Sequence, residues 1–168
     1  MPIQDKLTKC FREGEIGKER HHGLKKIEID KKKINNYLLK AEHNIKAIIS
    51  FKRDGFSDWS ASASFYALYH CLLAIVSKHG YESRNQKCTF VFIEDLIEKG
   101  KIKNITKEDL EEIFDKSVDE DIEHSDKILD IRERMQYSTK TEMEDKEFEE
   151  LLKRTKELFN KLKKEIER

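Results

Sequence analysis

Residues 56–80, FSDWSASASFYALYHCLLAIVSKHG, constrain the architecture more than any other stretch. Within the eighteen positions from Trp59 to Val76, Ala61, Ala63, Phe65, Ala67, Leu68, Cys71, Leu72, Leu73, Ala74 and Ile75 leave almost every helical turn apolar. In a chain that is 40% charged, a helix apolar on nearly all sides belongs at the centre, with other helices packed around it. Its polar exceptions are Ser60, Ser62, Ser64 and His70, and Tyr66 and Tyr69 add two hydroxyls. Chemistry is looked for there first.

The remaining apolar residues recur at helical spacing. Ile34, Leu38, Ala41, Ile45 and Ile48 follow one another at intervals of four, three, four and three, predicting a helix from Asp30, its N-cap, to about Lys52. The short link RDGFSD turns the chain into an antiparallel neighbour, with Ser57 or Asp58 capping the central helix and His79 and Gly80 ending it. Phe90, Ile93, Leu96 and Ile97 predict a short helix capped by Thr89 and stopped by Gly100. Thr106 and Asp109 form a capping-box pair ahead of Leu110, Ile113, Phe114, Val118 and Ile122, and Ile128, Ile131 and Met135 continue the stripe. KSVDED at 116–121 contains no obligate breaker, so one helix and two broken there are both open. Ser138, Thr139 or Thr141 can cap a last helix, 144–167, carrying Phe148, Leu151, Leu152, Thr155, Leu158, Phe159, Leu162 and Ile166. Residues 3–13 suit another short helix, and GEIGKERHHGLKK reads as an exposed connector.

No strand alternation is visible, and the only proline is Pro2. The expected fold is therefore all-α: an up-and-down bundle of four to five main helices with a short extra helix. The expected division is an N-terminal helix and connector, 1–29, packed on a bundle formed by 30–168.

Thirty-four basic and 34 acidic side chains cancel, so no molecule-wide field draws in nucleic acid or an anionic membrane, and such binding must be local. No run approaches the roughly 20 uninterrupted apolar residues of a membrane span, and MPIQDKLTKCFREGEIGKER lacks a signal-like apolar core. Cys10, Cys71 and Cys88 are odd in number and lack the paired spacing of a zinc site, which suits a reducing cytoplasm. The abundance of Lys and Glu is a compositional habit of heat-adapted proteins.

The string FYALYHCLLAIVSKHGYESRNQKC, followed by an amphipathic helix to Gly100-Lys101-Ile102 and later by IRERMQYS, resembles the HEPN domain proteins of archaea and bacteria. The matching positions are Tyr66, Ala67, Tyr69 and His70, then Gly80 and Tyr81, then Arg132 and Tyr137. The resemblance implies a helical bundle that forms a homodimer, binds RNA or a nucleotide without a cofactor or metal, and serves in a toxin-antitoxin or defence system. It also implies a small nucleotidyltransferase as partner, with Tyr137 as a target for modification. Ribonuclease members carry an Arg-x4-6-His motif. Here no histidine follows Arg132 or Arg134 at that interval, and Gln86 stands where related sequences often have histidine. The implied role is binding rather than metal-independent RNA cleavage.

The candidate catalytic set is Arg132, Tyr137 and His70. Arginine would stabilise phosphorane charge and histidine would move the proton. Tyr137, with an unperturbed pKa of about 10, donates a hydrogen bond more readily than it acts as a base. Five residues separate Arg132 from Tyr137, so the two can flank one surface. The structural alternative pairs Arg132 with Asp130 or with neighbours near Glu133, packs Tyr137 at the helix end and buries His70 against a polar acceptor. Arg84, Lys87 and Arg132 are the candidate RNA- or nucleotide-binding residues, with Lys101 and Lys103 as further local positives. His21 and His22 beside Glu19 read as solvated linker histidines rather than metal ligands, His43, His79 and His124 are scattered, and the serines serve close packing.

Overall fold

With proline confined to position 2, glycines do most of the helix stopping: Gly80 (φ 84°) and Gly100 (φ 65°) take the left-handed backbone that ends a helix. A computed structural model describes residues 1–113 and 128–168. Its elements are α1 (Ile3–Glu15), β1 (Leu24–Lys26), α2 (Lys31–Arg53), α3 (Ser60–Lys78), β2 (Tyr81–Ser83), α4 (Gln86–Glu98), α5 (Lys107–Ile113), α6 (Ile128–Tyr137) and α7 (Asp145–Glu167). The fold is mostly all-α, as its spacing predicted. Phe114, Val118, Ile122, His124 and the question of one helix or two lie outside the described residues.

α3 is the central helix. Phe65, Leu68, Leu72 and Ile75 are fully buried, each such side chain contributing roughly 1.5–3 kcal/mol of burial. α2, α7, α6 and α4 pack around it. Small residues let the helices close up: Ala41 of α2 and Ala61 of α3 have no exposure. Buried hydroxyls find partners there. Ser60 donates to the Ile48 carbonyl at 2.8 Å, and Ser64 of α3 meets Thr155 of α7, which also bonds the Leu151 carbonyl. Residues 57–78 reach a mean hydropathy of 1.3, long and apolar enough to span a membrane, contrary to the reading of the sequence. Burial of most of that stretch inside the bundle accounts for the composition.

Several local expectations hold. Asp30 caps α2 through Lys32 N at 2.9 Å, and Thr106 and Asp109 exchange the two bonds of a capping box, at 3.0 and 3.1 Å. Others give way to tertiary contacts. Thr89 lies inside α4, bonded to Tyr69 and Ser83, and Asn85 caps the helix instead through Cys88 N. Ser57 forms a 3-10 turn with Asp58 and Trp59 rather than a cap, and its hydroxyl accepts from Met143 N at 2.7 Å. α7 starts after Glu144 with no side-chain cap.

The largest correction concerns the connector. Residues 24–26 form an antiparallel two-stranded sheet with residues 81–83. α1 lies so close to β1 that a Cβ on Gly14 would sit 1.7 Å from the Leu24 carbonyl oxygen. His21 is not solvated: it is fully buried, accepting from Gly23 N through Nδ1 and reaching Glu82 at 2.9 Å through Nε2. Lys33 holds the same carboxylate at 2.8 Å. Burial alone would raise the Glu82 pKa, but the bonds from Lys33 and His21 and the nearby Arg84 bring it down to about 2. A Cys10–Cys88 disulfide, Cα–Cα 5.7 Å, fastens α1 to α4, leaving Cys71 as the free, buried thiol.

Candidate functional site

α3 is not covered all round. Within it the residues that escape full burial are Ser62, Tyr66, His70, Leu73 and Lys78, and the first four recur at intervals of four, four and three, which is one helical face. Trp59, one turn before Ser62, extends it and is 58% exposed. α2 packs along one side of this face and α6 along the other, and the incompletely covered strip between them, with Tyr66 between His70 and Arg132, is the groove.

Arg132 of α6 lays its guanidinium over Phe65, 4.2 Å from the ring centroid, and over Tyr66, 5.3 Å away. This is cation–π geometry, worth roughly 0.5–2 kcal/mol. No carboxylate among the described residues pairs with it, and its Nε is buried without a hydrogen-bond partner. An unpartnered buried donor costs roughly 1–3 kcal/mol, so the position is held by the aromatic faces, and the two Nη groups, which are neither buried without a partner nor hydrogen-bonded among the described residues, keep the charge available. The ion-pair alternative through the Glu133 side therefore does not describe Arg132; the Asp130 side chain lies outside the described residues. The arginine that does pair on this helix is Arg134, with Glu147.

On the other side of Tyr66, His70 faces α2. Its ring centroid is 6.4 Å from that of Tyr66 and 6.3 Å from that of Tyr37. Nδ1 lies 2.6 Å from the Tyr66 carbonyl oxygen and 3.4 Å from Asn44 Nδ2. A carbonyl only accepts, so the shorter contact places the proton on Nδ1, and Asn44 is a neighbour rather than a donor to it. Burial, followed by the charge of Lys40, lowers the His70 pKa against the raising effect of the Tyr66 carbonyl, keeping the imidazole neutral near pH 7. Tyr69 is different again. Burial raises its pKa, its hydroxyl bonds Thr89 at 3.1 Å, and its ring stacks on Phe65, so it is a core tyrosine.

The arrangement brings together Arg132, Tyr66, His70, Asn44, Tyr37 and Lys40: two cations, a neutral imidazole, an amide and two phenols. Such a set offers the donors and aromatic faces that suit a phosphate-bearing ligand with an aromatic or polyhydroxyl portion. Tyr137 is not part of it. Five residues on from Arg132 is a rotation of roughly 140° about the axis, and Tyr137 stands 82% exposed at the end of α6. Arg84 and Lys87 are exposed at the β2–α4 corner, where Arg84 lies 3.6 Å from Glu82; no bond or ring contact joins them to the groove. Lys101 and Lys103 are exposed, and their backbones serve the α7 end: the Lys101 carbonyl accepts from Arg168, and Lys103 N donates to Glu165. Tyr37, Lys40 and Asn44 were missed by sequence reasoning, although Tyr37 and Asn44, seven apart, share one side of α2. Among the described residues no group of three His, Cys, Asp or Glu side chains could hold a metal.

No curated protein matches the chain. Residues 34–166 match the family model of the HEPN domain, a span that contains both walls and the floor of the groove and begins after α1 and β1. The chain belongs to the HEPN domain family.

Proposed function

We propose that this protein is a non-catalytic RNA- or nucleotide-binding HEPN protein, a homodimer acting in a toxin-antitoxin or defence system. The observation that carries the reading is Arg132: an arginine positioned by Phe65 and Tyr66, with no carboxylate to neutralise it, beside a groove that also presents Lys40 and His70. A phosphate offers the acceptors that this guanidinium lacks within the protein. Catalysis is set aside because no histidine follows Arg132 at the motif interval and because, among the described residues, the imidazole that shares the groove, His70, lies on the other side of Tyr66 from Arg132. Membership of the family supports dimerisation, and light scattering that gave a monomeric mass across working concentrations would remove it. A cytoplasmic location is compatible with the disulfide if the Lys/Glu-rich surface reflects heat adaptation, since intracellular proteins of hyperthermophiles do carry disulfides.

Incubation with mixed single-stranded RNA, followed by gel-shift and cleavage assays of the wild type and Arg132→Ala, tests the reading. Retarded but intact RNA, lost in the variant, supports it; arginine-dependent cleavage overturns the non-catalytic part, and no binding overturns the whole.

A second reading is favoured by the 82% exposure of Tyr137. On that reading the protein is an interaction module for a nucleotidyltransferase that modifies this phenol. Intact-mass and peptide mass spectrometry after co-expression with a nucleotidyltransferase encoded beside it would show a nucleotidyl adduct on Tyr137; unmodified Tyr137 sinks the idea.

A further inference from the structure

The N-terminal arm is fastened to the bundle at two places of different kinds. Its later part is held without a covalent bond: β1 pairs with β2, the Gly23 carbonyl accepts from Arg84 N at 3.1 Å, and buried His21 reaches Glu82 at 2.9 Å. α1 is attached separately, on the far side of residues 15–20, all of which are exposed. Within that link Gly17 (φ 87°) and Lys18 (φ 52°) both take left-handed backbone, which breaks the arm into two parts.

α1 meets α4 at Cys88, Phe92 and Asp95, positions four and three apart on one side of that helix. Cys10 is bonded to Cys88, Gln4 donates to Asp95 at 2.8 Å, and the Tyr81 ring lies between Phe11 and Phe92, 5.5 Å from one and 5.0 Å from the other. Beyond this, Leu7 is buried and Gly14 packs on the Leu24 backbone. No ion pair joins α1 to another element among the described residues. A helix of 13 residues is marginal in water by itself, so α1 depends on these few contacts and on the covalent link. The HEPN match begins at residue 34, after the whole arm.

We propose that α1 is a redox-controlled strap over α4: the Cys10–Cys88 bond latches it, and reduction lets it swing out about residues 15–20 while β1 stays paired with β2. Opening uncovers Cys88, Phe92 and Asp95 together. The reductant is a dithiol. One of its thiolates attacks Cys10 Sγ, Cys10 being the less deeply buried of the pair; the S–S bond breaks and Cys88 leaves as a thiolate. The second thiol of the reductant then displaces Cys10 from the mixed disulfide. Cys10 and Cys88 together gain two electrons and the two protons of the dithiol, which becomes a disulfide. Cys71, buried in α3, takes no part. Once the link is gone, α1 opens as a local unit far more often than the bundle unfolds.

The test is the rate at which each thiol reacts in the folded full-length chain at pH 7.5. The protein is reduced with dithiothreitol, desalted under argon and pulsed with iodoacetamide, and labelling at Cys10, Cys88 and Cys71 is read by peptide mass spectrometry. Cys71, in the central helix, reports unfolding of the whole bundle. Cys10 and Cys88 are expected to label about tenfold or more faster than Cys71. Cys10→Ser, which is never latched, should label Cys88 at that fast rate with no reductant. Adding Leu7→Ala to Cys10→Ser should speed Cys88 further, because the Leu7 contact is given up when the strap opens. Equal rates at Cys88 and Cys71 overturn the inference, as does a disulfide that dithiothreitol does not reduce in the folded protein. A fast Cys88 rate that Leu7→Ala leaves unchanged assigns the reaction to fraying at the start of α4 and overturns it too.

Discussion

Reducing the Cys10–Cys88 disulfide removes a covalent link that closes a long loop, and its effect on stability can be worked out. The two cysteines are separated by 78 positions. In the chain-entropy treatment a closure of that length restricts the unfolded ensemble by about 4.5 kcal/mol at 25 °C, within an observed range of roughly 0–5 kcal/mol. The native state offers no competing gain on reduction, because both half-cystines are buried between α1 and α4, at 7% and 2% exposure. For a urea slope of about 2 kcal/mol per molar, loss of the link lowers the unfolding midpoint by roughly 2 M, with the slope rising somewhat as the unfolded chain expands. The assay is urea denaturation followed by circular dichroism, comparing oxidised protein, protein held in excess dithiothreitol, and Cys10→Ser. Thiol titration after denaturation without reductant should find one thiol, Cys71, whose pKa burial pushes up and which stays unreactive until the chain unfolds. A midpoint shift below about 0.5 M, or three thiols in the unreduced chain, would refute the reasoning.

Three further expectations concern the N-terminal arm and the α5–α7 contact. Gly14→Ala places a Cβ against the Leu24 backbone at 1.7 Å, where no flexible side chain can yield, so thermal unfolding should show a loss of about 2–3 kcal/mol or more; an unchanged melting temperature would mean α1 does not sit on β1. Glu82, held near a pKa of about 2 against an ordinary value of 4.5, contributes stability that is full above 4.5 and lost as pH falls towards 2, at most about 3 kcal/mol. Glu82→Gln should flatten the urea midpoint over that window, and a variant with the same acid profile as the wild type would contradict the assignment. Thr106→Ala removes the capping bond to Asp109 N and should cost about 1 kcal/mol in urea; a neutral result would place the start of α5 under the control of the Asp109 contacts with Arg154 and Lys161 alone.

The helices were legible because apolar spacing is dictated by the helix itself: the stripe at Ile34, Leu38, Ala41, Ile45 and Ile48 needs no partner to be recognised. The sheet was not, because each strand is three residues long and only Leu24 in β1 is buried enough to leave a mark. Caps failed where a side chain had a better use elsewhere: Thr89 joins Tyr69, and Ser57 receives Met143 N. His21 looked like a linker residue because its partner, Glu82, is 61 positions away. The site was legible by half. Arg132, Tyr66 and His70 were carried by the HEPN resemblance, but periodicity cannot show which side of a helix apolar all round is left uncovered, nor that Arg132 turns inward while Tyr137 points out.

On the proposed reading, Arg132 is held by aromatic faces so that its guanidinium can take a phosphate. The most direct measurement is the affinity of wild type, Arg132→Lys and Arg132→Ala for one fluorescent single-stranded RNA across a salt series, with circular dichroism confirming that each is folded. Arg132→Ala is expected to weaken binding about tenfold or more and to flatten the plot of log affinity against log salt by roughly one counterion, with Arg132→Lys between them. Equal affinity and equal salt slope in folded wild type and Arg132→Ala would contradict it.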